Sequence, residues 1–343
     1  MLIYNLSFQA LQETLARWKE PEYRATQIWQ GLYKHLYTSP AQFTNLPLDL
    51  RRRLGEDFSF RSLEPLIHAC SQDGETEKIL FTTKDGRRIE TVLMYYNKRR
   101  TVCISTQAGC AMGCVFCATG QLGYHGNLST GEILEQVLYF ARKLAGGEDR
   151  LSNIVTMGMG EPFHNYDATM NALDILNHTT GFNFGARRMT VSTVGIVPMI
   201  KRFSEESRKV NLAVSLHAAT NELRDQLVPI NRKYPLEELL TACNDYTSRS
   251  GRRISYEWAL IDGVNDGSEQ AQKCSQLLKG SLCHVNLIPL NPTDGYTSAP
   301  TDPKTAIAFR EILQSHGIAT TIRLRRGIDI HAGCGQLAGK KLN

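Results

Sequence analysis

The chain has 343 residues, of which 42% are hydrophobic and 21% charged, and its formal net charge is +5. That balance belongs to a folded chain of one large or two smaller domains, and it excludes a mainly disordered or low-complexity protein. No apolar run approaches the ~20 residues that cross a bilayer, and the first segment lacks the basic start, apolar core and cleavage site of an export signal, so a cytoplasmic protein with no membrane partner is expected.

Taken in order, residues 1–75 read as a helical accessory domain, with helices over 7–18, 22–37 and 47–54 and Pro21, Pro40 and Pro47 at the joints. Trp18, Trp29, Tyr33 and Tyr37 could stack bases, but their helical spacing points first to core. Residues 76–100 read as a β-hairpin extension, because two β-rich stretches flank Asp85-Gly86. From residue 101 to 343, strand-like runs at 101–106, 153–159, 188–193, 211–216, 254–260, 284–290 and 320–324 alternate with helix-like segments. The clearest helix carries Ile133, Leu134, Val137, Leu138, Ala141 and Leu144 on one stripe. Others lie near 167–177, 197–206, 235–249, 269–279 and 302–316. This alternation predicts an α/β fold with a parallel sheet and outer helices. Six such units predict a partial or complete barrel whose site lies at the C-terminal strand ends.

Basic runs recur at Arg51–Arg53, Lys98–Arg100, Arg187-Arg188, Arg252-Arg253, Arg323 with Arg325-Arg326, and Lys340-Lys341. Each alone reads as a solvated face, and together they permit a polyanion partner. The nine cysteines are more informative. Cys110, Cys114 and Cys117 fall within eight residues, in Gly109-Cys110-Ala111-Met112-Gly113-Cys114-Val115-Phe116-Cys117, directly after the first strand of the alternating region. Thiolates suit zinc and iron–sulfur centres alike. Closed zinc sites want four protein ligands, and no fourth local Cys or His is present. A three-cysteine loop can instead hold three irons of a 4Fe–4S cluster and leave one iron open.

The spacing Cys110-x-x-x-Cys114-x-x-Cys117, with Phe116 before the last Cys, resembles the radical S-adenosylmethionine (SAM) signature. That resemblance implies a 4Fe–4S cluster with three cysteine ligands, whose open iron chelates SAM and whose reduction yields a 5′-deoxyadenosyl radical. Gly158-Met159-Gly160-Glu161-Pro162 resembles the superfamily's Gly-Glu-Pro element. Gly160 permits close backbone approach, and Glu161 can accept from an ammonium. Ser192, Ser215-Leu216-His217 and Asn291 fall at later strand ends. A single Ser or Asn there is usually a turn or cap, but the repeated placement points to SAM contacts.

Nearly the whole chain resembles the RlmN/Cfr family of RNA adenine methyltransferases. The matching stretches are YRATQIWQGLYKH, CISTQAGCAMGCVFCATG, MGMGEPFHNY, RMTVSTVG, AVSLHA, LIPLNP and RRGIDIHAGCGQL. The resemblance implies a radical SAM partial (βα)6 barrel, two SAM molecules per turnover, and two further working thiols. Cys334 would be methylated by the first SAM. The radical from the second would activate that methyl group for addition to an electron-poor adenine carbon. Cys103 would then attack the sulfur of Cys334, forming a disulfide and releasing the methylated base, with Glu90 as proton acceptor. The ending RRGIDI–CGQLAGKK resembles the RlmN side. That implies carbon 2 of an adenosine in the peptidyl-transferase centre of 23S rRNA, and in some members an adenosine beside the tRNA anticodon. An electron donor such as flavodoxin or ferredoxin, and action as a monomer, are also expected. Carbon 8 methylation of the Cfr type is the alternative. An iron–sulfur RNA-binding sensor would need the cluster but neither Cys103 nor Cys334.

Overall fold

The computed structural model describes residues 1–147 and 149–339; the basic pair Lys340-Lys341 lies outside the described residues. Three helices come first: α1 (Phe8–Arg17), α2 (Tyr23–Tyr33) and α3 (Leu48–Asp57). Ser7 starts α1 by accepting the N–H of Ala10. Four antiparallel strands follow, β1 (Leu63–Cys70), β2 (Thr76–Thr83), β3 (Arg88–Tyr96) and β4 (Arg99–Cys103). The hairpin between β2 and β3 turns at Asp85-Gly86, where Gly86 takes a positive φ of 82° and its N–H closes on the Thr83 carbonyl. The helical stretch expected to reach residue 75 therefore ends at Asp57, and the antiparallel extension begins at Leu63. The strand β1 evades pattern reading because it is an edge strand, mostly exposed, with Pro65 at a bulge.

After β4 comes a short two-stranded ribbon, β5 (Gln107–Gly109) and β6 (Tyr124–Asn127), enclosing the cysteine loop and the one-turn helix α4 (Ala118–Gln121). The chain then runs through α5 (Thr130–Ala145), β7 (Asn153–Thr156), α6 (Tyr166–Asn177), β8 (Met189–Thr193), α7 (Val197–Glu205), β9 (Asn211–Ser215), α8 (Asn221–Leu227) and α9 (Leu236–Ser250). It ends with β10 (Ile254–Leu260), α10 (Ser268–Leu277), β11 (Cys283–Pro289), α11 (Pro303–Ser315) and β12 (Thr320–Ile322). One 10-stranded sheet has the order β1-β2-β3-β4-β7-β8-β9-β10-β11-β12. Pairing is parallel from β4 onward. Because β1 and β12 are the two edges, the barrel is open, with six strand–helix units as the alternation predicts.

The first unit shows how sequence becomes position. Ser129 and Glu132 form a capping box that starts α5, whose apolar stripe is buried. Gln136, on the same helix, is fully buried. Its amide accepts the Ser105 N–H at 2.8 Å and donates to the Ser105 carbonyl at 2.9 Å, so it stands in for a missing strand partner just beyond β4. The Ser105 hydroxyl in turn donates to the Glu90 carbonyl and accepts the Met159 N–H. Three elements are thereby pinned where the cysteine loop begins.

The N-terminal helices do not have a separate core. Ile3, Tyr4, Trp29 and Tyr33 belong to one buried cluster with Ile133, Leu138 and the barrel strands. Trp29 and Tyr33 take the core reading, while Trp18 and Tyr37 are half-buried and Arg53 lies 4.4 Å over the Trp18 ring.

Glu135 joins α5 to the segment before β1. Its carboxylate accepts the N–H and hydroxyl of Ser62, and burial raises its pKa to about 7 against the pull of those donors and Arg142. A carboxyl raised above its unfolded value stabilises the fold fully only below the unfolded pKa, and that stability is lost as pH rises through the folded one. Between the ordinary value of 4.5 and about 7, Glu135 should therefore make unfolding easier as pH rises. The expected loss is on the order of 3 kcal/mol. Denaturant unfolding across that window should show a flatter decline in Glu135→Gln than in the parent chain.

Candidate active site

The cysteine loop is wrapped tightly by backbone. Gly109 has a φ of 70°, and a Cβ there would lie 1.9 Å from the Gly123 carbonyl oxygen. The Cys110 N–H donates to that same oxygen at 2.8 Å. Burial pushes the thiol of Cys110 up to about 12 and raises that of Cys114 well above its ordinary value, each reinforced by neighbouring sulfurs of the loop. Thiol sulfurs are poor hydrogen-bonding groups and good soft-metal donors.

All three cysteines line one cavity at the C-terminal strand ends. Gly160, Glu161, Ser192, Ser215, His217, Asn291 and Cys334 line it too. Gly160 has a φ of 100°, and a Cβ would meet the Gln107 backbone nitrogen at 2.7 Å, so only glycine lets this turn close. Glu161 accepts the N–H groups of Phe163 (2.9 Å) and Val194 (2.8 Å), and burial raises its carboxyl to about 7. The Ser192 hydroxyl donates to the Thr156 carbonyl, leaving its lone pairs for a donor. Asn291 donates to the Cys334 carbonyl at 3.0 Å, and its buried Oδ1 has no partner among the described residues.

His217 sits at a φ of 62°, and its Nδ1 accepts the Ala259 N–H at 2.9 Å. Burial, aided by the charge of Arg224, holds the imidazole down to about 3. The ring is therefore neutral, with its proton on Nε2. Leu216 differs from its neighbours: it is wholly buried outside the cavity lining, and only its backbone serves the site, its carbonyl accepting from the Arg224 guanidinium and its N–H donating to the Glu257 main-chain carbonyl.

Cys103 and Glu90 also lie outside this lining. Cys103 ends β4, is buried, and has its thiol pushed up to about 12 by burial and by Cys334, against the pull of the Met157 N–H and Arg323. Cys334 is exposed as a residue, yet crowding around its sulfur raises the thiol while Arg323 pulls it down. Two thiols 231 positions apart in sequence are thus within electrostatic reach of each other and of one guanidinium. Glu90 lines a neighbouring cavity instead. Its carboxylate pairs with buried Lys78 at 2.8 Å and accepts the N–H groups of Ala338 (2.7 Å) and Gly339 (3.0 Å).

Two residues at this site, Glu257 and Arg224, were not singled out from sequence, and a third, Arg323, was read only as part of a basic run. Glu257, on β10, is buried in the cavity wall, accepts from Asn286 at 2.8 Å, and has an Oε2 with no partner among the described residues. Its only sequence signal is an acidic side chain inside an otherwise apolar strand. Arg323 lies 3.7 Å from Glu257 just beyond β12. Arg224, on the unexpected helix α8, is fully buried and donates to the carbonyls of Val194, Ser215 and Leu216, tying the ends of β8 and β9 together. The soft donors on the loop, and the unpartnered oxygens of Asn291 and Glu257, fit an iron–sulfur cluster with a polar, cationic co-ligand.

A soft-donor loop at the head of an open parallel barrel is the arrangement of radical SAM enzymes. Residues 104–273 match the family model described as the radical SAM superfamily. Residues 2–59 match the ribosomal RNA large subunit methyltransferase N-terminal domain. The chain is 48% identical over 335 residues to "Dual-specificity RNA methyltransferase RlmN 1" of Myxococcus xanthus, covering 98% of this chain and 93% of the relative. It is 46% identical over 341 residues to "Probable dual-specificity RNA methyltransferase RlmN" of Geobacillus kaustophilus, with 99% and 93% covered. The crystal structure of a radical SAM methyltransferase from Sphaerobacter thermophilus matches with a TM-score of 0.97 at 48% identity, covering 99% of this chain and 100% of that one. The chain belongs to the RlmN family and is a radical SAM methyltransferase. Among the described residues, no helix is long and apolar enough to cross a membrane.

Because a Cβ at Gly160 would collide with Gln107 and spread this turn of the cavity wall, Gly160→Ala should retain the iron of the reconstituted chain but weaken SAM binding by at least tenfold. Iron analysis paired with equilibrium dialysis of labelled SAM separates the two effects.

Proposed function

We propose that this enzyme methylates carbon 2 of an adenosine in 23S rRNA, and of the adenosine beside the anticodon of tRNA, with Cys334 carrying the methyl group and Cys103 resolving the adduct. The observation that carries this reading is that Cys334 lines the cavity of the cluster loop while the buried Cys103 thiol lies within electrostatic reach of it, with Arg323 acting on both. The names of the relatives, dual-specificity RNA methyltransferases, support the choice of RNA substrates. When bound, the cluster and SAM supply the methyl group and the one-electron chemistry.

The protein's own residues do the rest. Cys334 faces the cavity from an exposed loop, so its sulfur can meet both SAM and a flipped base. Arg323 favours the thiolate, which is the form that accepts a methyl group. Cys103 approaches from the buried side and attacks the sulfur of Cys334 once the base is attached. The new disulfide releases the methylated adenosine. Because burial holds Cys103 protonated near neutral pH, this release should quicken as pH rises. Glu90 takes the proton from the adenine carbon. The N–H groups of Ala338 and Gly339 now cover its carboxylate, so it becomes available as that segment lifts. The electron donor is a flavodoxin or ferredoxin. The N-terminal helices and the exposed basic runs, Arg323 excepted, hold the RNA backbone.

The test is anaerobic turnover of the reconstituted enzyme on protein-free 23S rRNA and on tRNA, with mass spectrometry of the digested nucleosides. 2-Methyladenosine from both is expected; 8-methyladenosine would replace this reading with the Cfr-type one, and no methyladenosine would overturn it. Cys334→Ala should give no product. Cys103→Ala should accumulate a covalent protein–RNA species visible as a shifted band. Glu90→Gln should keep methylation of Cys334 but slow product formation by roughly 10²–10⁴-fold.

A further inference from the structure

The outer edge of the sheet carries a donor set that the methyltransferase site does not use. His68 and Cys70 are two residues apart on β1, so both project from the same face. Cys70 sits directly opposite Glu77 of β2 in the antiparallel register. The ligand atoms of the three side chains all lie within 4.8 Å of one another. His68 Nε2 is 2.7 Å from Glu77 Oε2 and 3.5 Å from Cys70 Sγ. A nucleophilic relay would use one ring nitrogen for each neighbour. Here the same nitrogen faces both, so the three groups converge on a point instead of forming a chain.

We propose that His68, Cys70 and Glu77 form a second metal site, independent of the cluster, for a borderline-soft divalent cation of the Zn²⁺ type. Bonds of about 2.0–2.3 Å in a tetrahedral shell separate ligand atoms by roughly 3.3–3.7 Å. The sulfur–nitrogen pair already has that separation, and the nitrogen–oxygen pair needs to open by only about 0.6 Å. Thiolate, imidazole and carboxylate are the donors such an ion prefers, and the fourth position is left for water. On binding, the Cys70 thiol gives its proton to solvent. His68 coordinates through Nε2 with its proton on Nδ1, and two anionic ligands offset the dication.

The surroundings show what now fills the place of that charge. The Lys143 ammonium pairs with Glu77 Oε2, and the Tyr95 hydroxyl donates to Oε1 at 2.7 Å. Lys143 is on a flexible, partly exposed side chain, so a cation can displace it. Tyr95 can stay, because it uses the other oxygen. His68 and Cys70 are exposed on an edge strand, so nothing must unfold for an ion to enter.

The cluster-loaded full chain, dialysed anaerobically against Zn²⁺ and analysed for zinc and iron together, tests this. One zinc per chain is expected in addition to the iron, with Cys70 protected from alkylation by iodoacetamide in the peptide map. Cys70→Ser and His68→Asn should each lose that zinc while keeping their full iron, which reports that they have folded. Lys143→Ala should bind zinc several-fold more tightly, because its competing ammonium is gone. A parent chain that takes up no zinc, variants of Cys70 or His68 that retain it, or weaker binding by Lys143→Ala would each overturn the assignment.

Discussion

The position of Cys334 rests on a set of hydrogen bonds that fasten the C-terminal loop across the mouth of the barrel. The Ala118 N–H donates to the Gly335 carbonyl, and the Thr119 hydroxyl to the Leu337 carbonyl. Asn291 holds the Cys334 carbonyl, and Glu90 takes two N–H groups further along. Each such bond contributes about 1 kcal/mol net, and together they tie the loop to three neighbouring parts of the fold: α4, the segment after β11 and β3.

The strand ends beneath the loop are held in a different way. A barrel open at one side leaves carbonyls near its mouth without strand partners, and buried carbonyls must be paired. Side chains from the helices do this. Gln136 completes the pairing of Ser105, and Arg224 collects three carbonyls from the ends of β8 and β9. Glu161 likewise binds the Val194 N–H from across the cavity. The residues lining the cavity are thus set by a frame of polar side chains behind them, while Cys334 comes from the C-terminal loop.

Much of this was legible in the sequence because it is local. Three cysteines in eight residues, an Asp-Gly hairpin and the apolar stripe of α5 are all patterns with short periods, and the structure follows them. What was not legible depends on distant partners. The strand β1 looks like loop until β2 supplies its hydrogen bonds. The ribbon of β5 and β6 exists because it clasps the cysteine loop. Arg224 and Glu257 look like ordinary charged residues until burial makes them costly to leave unpaired. Glu90 and Cys103 were placed by resemblance, and the structure sets both behind the cavity wall instead of in it.

The shared core gives the N-terminal helices a further consequence. Gly131 of α5 admits Leu2 so closely that a Cβ would be 2.3 Å from it, and Gly181 admits the Trp29 ring at 2.6 Å. Asn5 then holds the Gly131 N–H. A module keyed into another by missing side chains cannot be exchanged or shed as a unit. If these helices grip a folded RNA, the barrel mouth is thereby aimed at a fixed angle to that grip. Which part of the RNA can reach the cavity then becomes a question of rigid geometry.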